Sequence, residues 1–258
     1  MTRPLVCAAS IAVLLLGPFT AAAPAQGRQG GPLDSARGGP VSPRAAAPID
    51  LTGTWVSVVT EDWRWRMRTP PKGDVTSLPL TAAAITAANA WDPARDAAAG
   101  EQCRGYGAPA VMRLPGRIRV SWDNDTTLKV ETEAGTQTRL FHFTRPDPPG
   151  KPTWQGTSVA NWEGAGRRGG PPRGGSLRVT TTNLRPGYLR KNGVPYSASA
   201  RLTEYYNLII DATTKDTWLV VTTMVEDPQY LSVPRFVTSS HFKKADPSVW
   251  MPSPCEAG

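Results

Sequence analysis

The region from residue 117 to residue 143 alternates between apolar and polar positions in three successive runs. The runs are residues 117–122, 127–132 and 136–143, and each is rich in β-branched or aromatic residues. Residues 123–125 and 133–135, which separate them, have the composition of tight turns. Because successive side chains of a β-strand point to opposite faces, this pattern predicts a three-stranded β-meander.

The same kind of alternation recurs before and after the meander. It predicts further strands at residues 55–59, 157–163, 176–182, 199–210, 217–225 and 235–242. A Gly/Arg-rich stretch, residues 164–175, interrupts the pattern and is expected to form a mobile loop. With the meander this makes about nine strands and no internal repeat.

Aromatic residues alternate with arginines in residues 61–68. As a strand, this stretch would place Trp63, Trp65 and Met67 on one face and three arginines on the other. A half-buried strand with a solvated basic face is the interpretation that we favour. An aromatic wall that lines a pocket is the alternative.

One helix is predicted, at residues 82–91. Thr81 is a suitable N-cap, Leu80 and Ile85 have the spacing of a hydrophobic staple, and Asp92-Pro93 follows the last residue. A single short helix among many strands favours a barrel or a sandwich over repeated βαβ units.

The N-terminus has the pattern of a secretory signal peptide. A short basic start and an apolar run at residues 5–17 precede Ala23-Pro24-Ala25, so cleavage is expected after Ala25. Residues 26–48 are Gly-, Pro-, Ala- and Arg-rich and are expected to form a disordered tether. The expected organisation is a signal peptide (1–25), a tether (26–48) and one β-rich domain (49–258), in the periplasm or outside the cell.

Two cysteines, Cys103 and Cys255, remain once the signal peptide is removed. An even number of cysteines in an exported chain favours a disulfide between them. Two free thiols are the alternative.

The formal net charge is +8 and the pI is about 9.7. This sign favours anionic ligands or an anionic envelope surface, but the basic residues form no single run, so we favour a role in solubility alone. The Gly/Arg loop resembles nucleic-acid-binding segments, but export argues against a nucleic-acid partner.

Motifs for catalysis or cofactor binding are absent from the sequence. It contains no His-Glu-x-x-His, no Cys-x-x-Cys, no Gly-x-Ser-x-Gly and no phosphate-binding Gly-rich loop, so neither a metal nor another cofactor is expected. A metal site built from His142 with Glu163 or Glu204 is a weaker alternative to a structural histidine. Carboxylates that could act as an acid–base pair are Glu131, Glu163, Glu204, Glu226 and Asp227.

The start of the first predicted strand, Gly53-x-Trp55, resembles the opening motif of lipocalin-type barrels. In that family the tryptophan closes the base of the barrel and stacks on a basic side chain from a late strand. The resemblance implies that Arg235, Lys243 or Lys244 takes this part here.

The stretch from Cys103 to Cys255 resembles a group of uncharacterised exported bacterial proteins. The shared residues are Cys103, Gly107, Met112 and Pro115; Arg139-x-x-His142; Pro152-x-Trp154-x-Gly156-x-Ser158-x-x-x-Trp162-Glu163-Gly164; Thr180-Thr181-Thr182-Asn183; Glu204; Glu226-Asp227-Pro228; and Cys255. Members of the group run directly from Trp-Glu-Gly into a strand, whereas this chain inserts the Gly/Arg loop. The resemblance implies an exported barrel-like domain and no particular activity.

These patterns together predict an all-β protein, a lipocalin-like antiparallel barrel of about eight to ten strands with one short helix. The function that we favour is binding of a small, partly apolar molecule in the barrel interior. The predicted ligand-binding residues are Trp63, Trp65, Arg139, His142, Trp162, Glu163 and Glu204. A barrel enzyme of the hydratase, isomerase or cyclase type, using His142 and a carboxylate, is one alternative. An envelope-associated structural protein is the other.

Overall fold

Nine β-strands close into a barrel around an apolar interior. The structure is a computed structural model, and it describes residues 41–148, 150–164 and 174–258. Its strands are β1 (Gly53–Val58), β2 (Arg117–Asn124), β3 (Thr127–Thr132), β4 (Thr138–His142), β5 (Thr157–Gly164), β6 (Gly175–Thr182), β7 (Gly187–Arg190), β8 (Val194–Tyr196), β9 (Arg201–Ile210), β10 (Thr217–Glu226) and β11 (Phe236–Lys244). The barrel order is β1-β11-β10-β9-β6-β5-β4-β3-β2, and β1 closes it by pairing with β11 and β2. The predicted all-β barrel is confirmed.

One neighbouring pair in the barrel is parallel, which differs from the predicted antiparallel order. Phe141 and His142 at the end of β4 pair with Ser158 and Val159 at the start of β5. Parallel strands that overlap fully need a long crossover back along the sheet. Here β5 begins where β4 ends, so residues 143–156 connect the two strands without such a crossover.

Alternate residues of the barrel strands point inward and form the main core. In β10, for example, Leu219, Val221 and Val225 are buried and their neighbours are partly exposed. Val111 and Met112, from a short helical segment, pack into the same core. Burying each such side chain stabilises the fold by roughly 1.5–3 kcal/mol, which makes this interior the main source of stability.

Trp55 lies fully buried at the start of β1 and contacts a late strand. Its Nε1 donates to Leu51 O at 2.9 Å, and Lys244 Nζ lies 4.0 Å from its ring centroid. Of the three basic residues considered from the sequence, Lys244 therefore occupies the position over the tryptophan. Gly53 has a φ of +120°, and a Cβ there would lie 2.7 Å from Lys244 Nζ, so glycine suits both the backbone and this contact.

The described residues contain four α-helices rather than the single helix predicted. They are α1 (Trp63–Arg66), α2 (Ala82–Asn89), α3 (Pro93–Ala98) and α4 (Ala108–Val111), together with two 3-10 segments, Gln102–Tyr106 and Ala134–Thr136. None of the helices in these ranges combines the length and the apolar character that crossing a lipid bilayer requires. The additional helices are too short to leave a periodic signal in the sequence.

The ends of the predicted helix are only partly as expected. Thr81 is its N-cap and accepts from Ala84 N, as predicted. The helix ends at Asn89, and Asp92-Pro93 begins α3, with Asp92 capping two backbone N–H groups, instead of simply ending α2. Proline at the first helical position is compatible with starting a helix, which explains this difference.

The strand predicted at residues 61–68 is wrong, because this stretch contains α1. Asp62 takes a left-handed conformation (φ 50°) and begins the helical turn. Trp63 and Met67, four residues apart, are both exposed, whereas Arg66 is buried. In so short a run, alternation does not separate a strand from one helical turn.

A second apolar core lies outside the barrel, where the β7–β8 hairpin meets α2. Tyr196 and Val194 of β8 pack with Ala88 of α2 and with Leu202 and Val225 at the barrel end. Pro186-Gly187 and Asn192-Gly193, two dipeptides typical of turns, lie at the start and the turn of this hairpin.

Cys103 and Cys255 form a disulfide, as predicted. It joins residues 152 positions apart and ties the C-terminal tail to the 3-10 segment before α4. A disulfide of this kind fits a protein of an oxidising compartment.

The C-terminal part of the predicted tether, residues 41–48, contacts the barrel. Trp162 Nε1 donates to Pro43 O at 2.8 Å, and Arg44 N donates to Asp125 O at 3.1 Å. Residues 43 and 44 thus bond to the domain, and Ile49, which follows the segment, packs against the main core with the partly buried Trp122 and Trp162. These contacts differ from a tether that is disordered along its whole length. The predicted signal peptide (1–25), residues 26–40 of the predicted tether and most of the Gly/Arg loop (165–173) lie outside the described residues.

Candidate functional site

Two predicted site residues, Arg139 and Glu204, form an ion pair inside the barrel. Nη1 and Nη2 of Arg139 donate to Oε1 and Oε2 of Glu204 at 2.9 and 2.6 Å. Tyr206 OH donates to the same carboxylate at 3.2 Å, and Thr181 Oγ1 lies 3.4 Å from Nη2. Both charged side chains are fully buried.

This internal pair is electrostatically self-contained. Burial by itself would lower the pKa of Arg139, but the attraction and hydrogen bonds of Glu204 outweigh it and raise that pKa above its ordinary value. Burial, followed by the nearby Glu204 charge, raises the pKa of Tyr206. A buried pair that satisfies its own charges is typical of a structural element, so it is a poor anchor for a ligand.

His142 and Glu163 lie on the outer face of the barrel, away from this pair. His142 Nδ1 is 3.3 Å from Thr127 Oγ1, and Glu163 lies 3.8 Å from Arg178 in a partly exposed ion pair. His142 and Glu204 are thus on opposite faces of the sheet, which excludes the metal site proposed for them. His142 is also not placed to act with the buried carboxylate in a barrel enzyme.

The other candidate carboxylates are also engaged elsewhere. Glu131 lies 3.4 Å from Lys129, Glu226 accepts from Arg235 at 2.8 Å, and the buried Asp227 accepts from Ser197. In these contacts each of the three carboxylates is paired with a lysine, an arginine or a serine, and not with another carboxylate of the group.

Trp162 lies at the barrel mouth near residues 41–50. Its ring centroid is 5.4 Å from that of Phe143 and 6.4 Å from that of Trp122. This aromatic group and Ile49 pack against the main core. Trp162 therefore contacts the segment that precedes β1, through Pro43. It does not line the cleft to which Trp65 contributes.

Trp65 lines a cleft, and Trp63, which is 68% exposed, does not. The cleft has a volume of about 350 Å³ and lies between α1, α4, the end of β7, the first residue of β11 and the C-terminal tail. Its apolar lining comes from Leu78, Ala110, Leu114, Pro115, Leu189 and Phe236. Its cations are Arg66, Arg68, Arg113, Arg190 and Lys191, and we call it the arginine cleft.

Arg66 is the most deeply buried cation of the arginine cleft. Its side chain is 3% exposed, and its Nε donates to Arg113 O at 2.9 Å. Neither Nη1 nor Nη2 has a hydrogen-bond partner among the described residues. Burial first, and repulsion from Arg113 second, lower the pKa of Arg66 to about 10.

Two carboxylates next to Arg66 only partly compensate its charge. Asp62 binds Arg113 Nη2 at 2.6 Å. Glu61 Oε1 lies 3.9 Å from Nη1 of Arg66 and 3.9 Å from Nη1 of Arg113, too far for a hydrogen bond to either. Nη1 of Arg113 is likewise unpaired within the described ranges.

Trp65 and Arg190 form the adjoining wall. Trp65 Nε1 donates to Asp74 Oδ2 at 3.1 Å, which holds the ring in place, and Arg190 lies 5.4 Å from the ring centroid. Arg190 also donates to the carbonyl oxygens of Asp74 and Thr76. Burial lowers the pKa of Arg190 to about 10 against the opposing attraction of Asp74.

The C-terminal tail supplies the last side of the cleft. Ser253 and Glu256 line it, on either side of the disulfide-bonded Cys255. Ser253 N donates to Glu133 O at 2.9 Å, and Glu256 N donates to Tyr106 OH at 3.2 Å. The disulfide therefore fixes a wall of the cleft as well as the chain end.

Sequence reasoning found Trp65 but missed Arg66, Arg113 and Arg190. It placed Arg66 on a solvated strand face with Arg64 and Arg68, because alternation alone treats the three arginines alike. Only the packing of residues 105–115 and 189–191 over α1 distinguishes Arg66 from the others.

Comparisons with protein-family models, curated proteins and solved structures find no match to this chain.

Proposed function

We propose that the protein is an exported small-molecule-binding protein, and that its ligand is an organic anion with a partly apolar body. The ligand site is the arginine cleft instead of the barrel interior. Core side chains and the ion pair of Arg139 and Glu204 lie in the interior, and all of them are buried.

The unpaired N–H groups of Arg66 carry this proposal. Leaving charged donors buried without acceptors is unfavourable by several kcal/mol, so such groups are normally paired or serve a function. A guanidinium also binds carboxylate or phosphate oxygens through two parallel hydrogen bonds. A ligand oxygen bound at Nη1 and Nη2 satisfies donors that the described residues leave unpaired.

The remaining lining suits the apolar part of such a ligand. Small-molecule sites combine mostly hydrophobic walls with a few placed polar groups, and a volume of about 350 Å³ is at the small end of their range. Trp65, Leu189 and Phe236 provide apolar surface beside the guanidinium groups. Export to the periplasm or outside the cell is inferred from the signal-like N-terminus, together with the disulfide.

The test is mass spectrometry of the protein purified from its own host, first native and then denatured. We expect an additional mass that is lost on denaturation and that extraction identifies as an organic anion. Arg66→Met, purified in the same way, should lose that mass. Arg145→Met is the matched control, because Arg145 is an exposed arginine that does not line the cleft.

Two results would contradict the proposal. One is a bound molecule that Arg66→Met retains in full. The other is a wild-type protein that carries no additional mass and binds no organic anion in a subsequent titration.

A further inference from the structure

We infer that the arginine cleft selects a monoanion, a carboxylate on a flat apolar body, and that Glu61 discriminates against dianions. This inference rests on the proposed function and specifies its ligand. It follows from how the charges around Arg66 are compensated.

The fixed charges of the cleft nearly cancel. Five cationic side chains line it, and four carboxylates belong to it or contact its lining: Glu256, Glu61, Asp62 and Asp74. Arg113 has its own carboxylate partner in Asp62, and Arg190 donates to two carbonyl groups beside Asp74. The sum leaves about one positive charge for a ligand to neutralise, and we place the ligand at Arg66 because its Nη1 and Nη2 have no hydrogen-bond partner among the described residues.

Glu61 limits the ligand charge that Arg66 accepts. Its Oε1 is equidistant, at 3.9 Å, from Nη1 of Arg66 and of Arg113, and has no hydrogen-bond partner among the described residues. An oxygen bound to these unpaired nitrogens therefore lies close to the Glu61 carboxylate. A singly charged head group tolerates that neighbour, whereas a second negative charge is repelled by it.

The shape of the head group also favours a carboxylate. Nη1 and Nη2 of Arg66 offer one planar, two-pronged set of donors, which matches two carboxylate oxygens. The Trp65 ring is held by Asp74, and the guanidinium groups of Arg64 and Arg190 lie 5.7 and 5.4 Å from its centroid. Leu189 and Phe236 line the same cleft, so a flat, apolar body next to the head group can pack beside Trp65 against apolar side chains.

The test compares three probes that share one ring system. 2-Naphthoate is a monoanion, 2-naphthyl phosphate is a dianion at about pH 8, and 2-naphthalenemethanol is neutral. Calorimetric titration of the full exported protein should give the tightest binding for 2-naphthoate. We expect the alcohol to bind about tenfold or more weakly, because a hydrogen bond to a charged group typically contributes at least that factor. We expect 2-naphthyl phosphate to bind more weakly by a similar factor, about tenfold, because the Glu61 carboxylate repels its second negative charge.

Two variants assign the selectivity to residues. Arg66→Met should reduce the affinity for 2-naphthoate to that for the alcohol. Glu61→Gln removes one negative charge from a partly exposed side chain, so the fold should be retained. The Glu61→Gln variant should bind 2-naphthyl phosphate more tightly than wild type does, with a smaller change for 2-naphthoate. The preference for 2-naphthoate over the phosphate should therefore decrease or reverse.

The outcomes separate this inference from the proposed function. Arg66-dependent binding in which the phosphate equals or exceeds the carboxylate overturns the monoanion inference and leaves an anion-binding protein. A Glu61→Gln variant with unchanged selectivity overturns the role of Glu61. Equal affinity for 2-naphthoate and the alcohol, unchanged in Arg66→Met, contradicts both the monoanion inference and the proposed function. If none of the three probes binds, the monoanion inference is wrong, and the mass-spectrometric experiment then tests the proposed function independently.

Discussion

Arg66 and Arg139 are both buried arginines, but only Arg139 has a buried carboxylate as its partner. Arg139 and Glu204 share two short hydrogen bonds at zero exposure. Arg66 makes one hydrogen bond through Nε, and its terminal nitrogens are unpaired within the described ranges. Arg139 also has one unpaired nitrogen, Nε, but its charge is neutralised by Glu204. This difference is the reason that we propose Arg66, and not Arg139, as the ligand-binding arginine.

Replacing each arginine by methionine should therefore have different effects on stability. Arg139→Met leaves Glu204 buried without its partner, and the free energy of unfolding should fall by about 3–5 kcal/mol. In Arg66→Met, the loss of one hydrogen bond is offset by removal of unpaired charged donors. Its stability should stay within about 1 kcal/mol of wild type. Urea denaturation measures both, and an Arg66→Met variant as unstable as Arg139→Met would make Arg66 structural and remove the basis of the proposed site.

At the scale of elements, the β7–β8 hairpin depends on a close contact at its turn. Gly193 has a φ of +84°, and a Cβ there would lie 2.2 Å from Trp91, just after α2. The hairpin and α2 share the second core, which adjoins the wall of the cleft formed by Leu189 and Arg190. This turn therefore positions the site from outside the barrel.

Gly193→Ala should destabilise the protein by more than conformational strain alone. Gly100 has a similar φ of +69° but open space around it, so Gly100→Ala provides the matched control. We expect Gly100→Ala to cost about 1 kcal/mol from the left-handed backbone. Gly193→Ala should cost roughly 1–3 kcal/mol more, because Trp91 must move. Equal losses in thermal denaturation would show that the contact with Trp91 is unimportant.

For the whole molecule, the disulfide couples stability to the cleft. It closes a loop of 152 residues and holds the tail that carries Ser253 and Glu256. The chain-entropy model gives a stabilisation of about 4–5 kcal/mol for such a loop.

Reduction should therefore lower the melting temperature by roughly 8–20 °C and weaken binding of the naphthoate probe. The double variant Cys103→Ser/Cys255→Ser should melt at the lower temperature and be insensitive to the reductant. If the wild-type melting curve does not change when both thiols have become titratable, the disulfide does not stabilise the fold.

The sequence alone determined the barrel strands, the turn positions and the cysteine pairing. Alternation in β2, β3 and β10 is a local property, since each inward residue is two positions from the next. The two cysteines outside the predicted signal peptide allow one pairing. The short helices and the parallel contact of β4 with β5 left no such local signal. Tertiary structure alone decided which arginine is buried, because Arg66, Arg113, Arg190 and Glu256 are far apart in sequence and meet only when the tail and the hairpin pack beside the barrel. A residue pattern specifies the face of a strand, but the burial of a charged side chain depends on what packs against it.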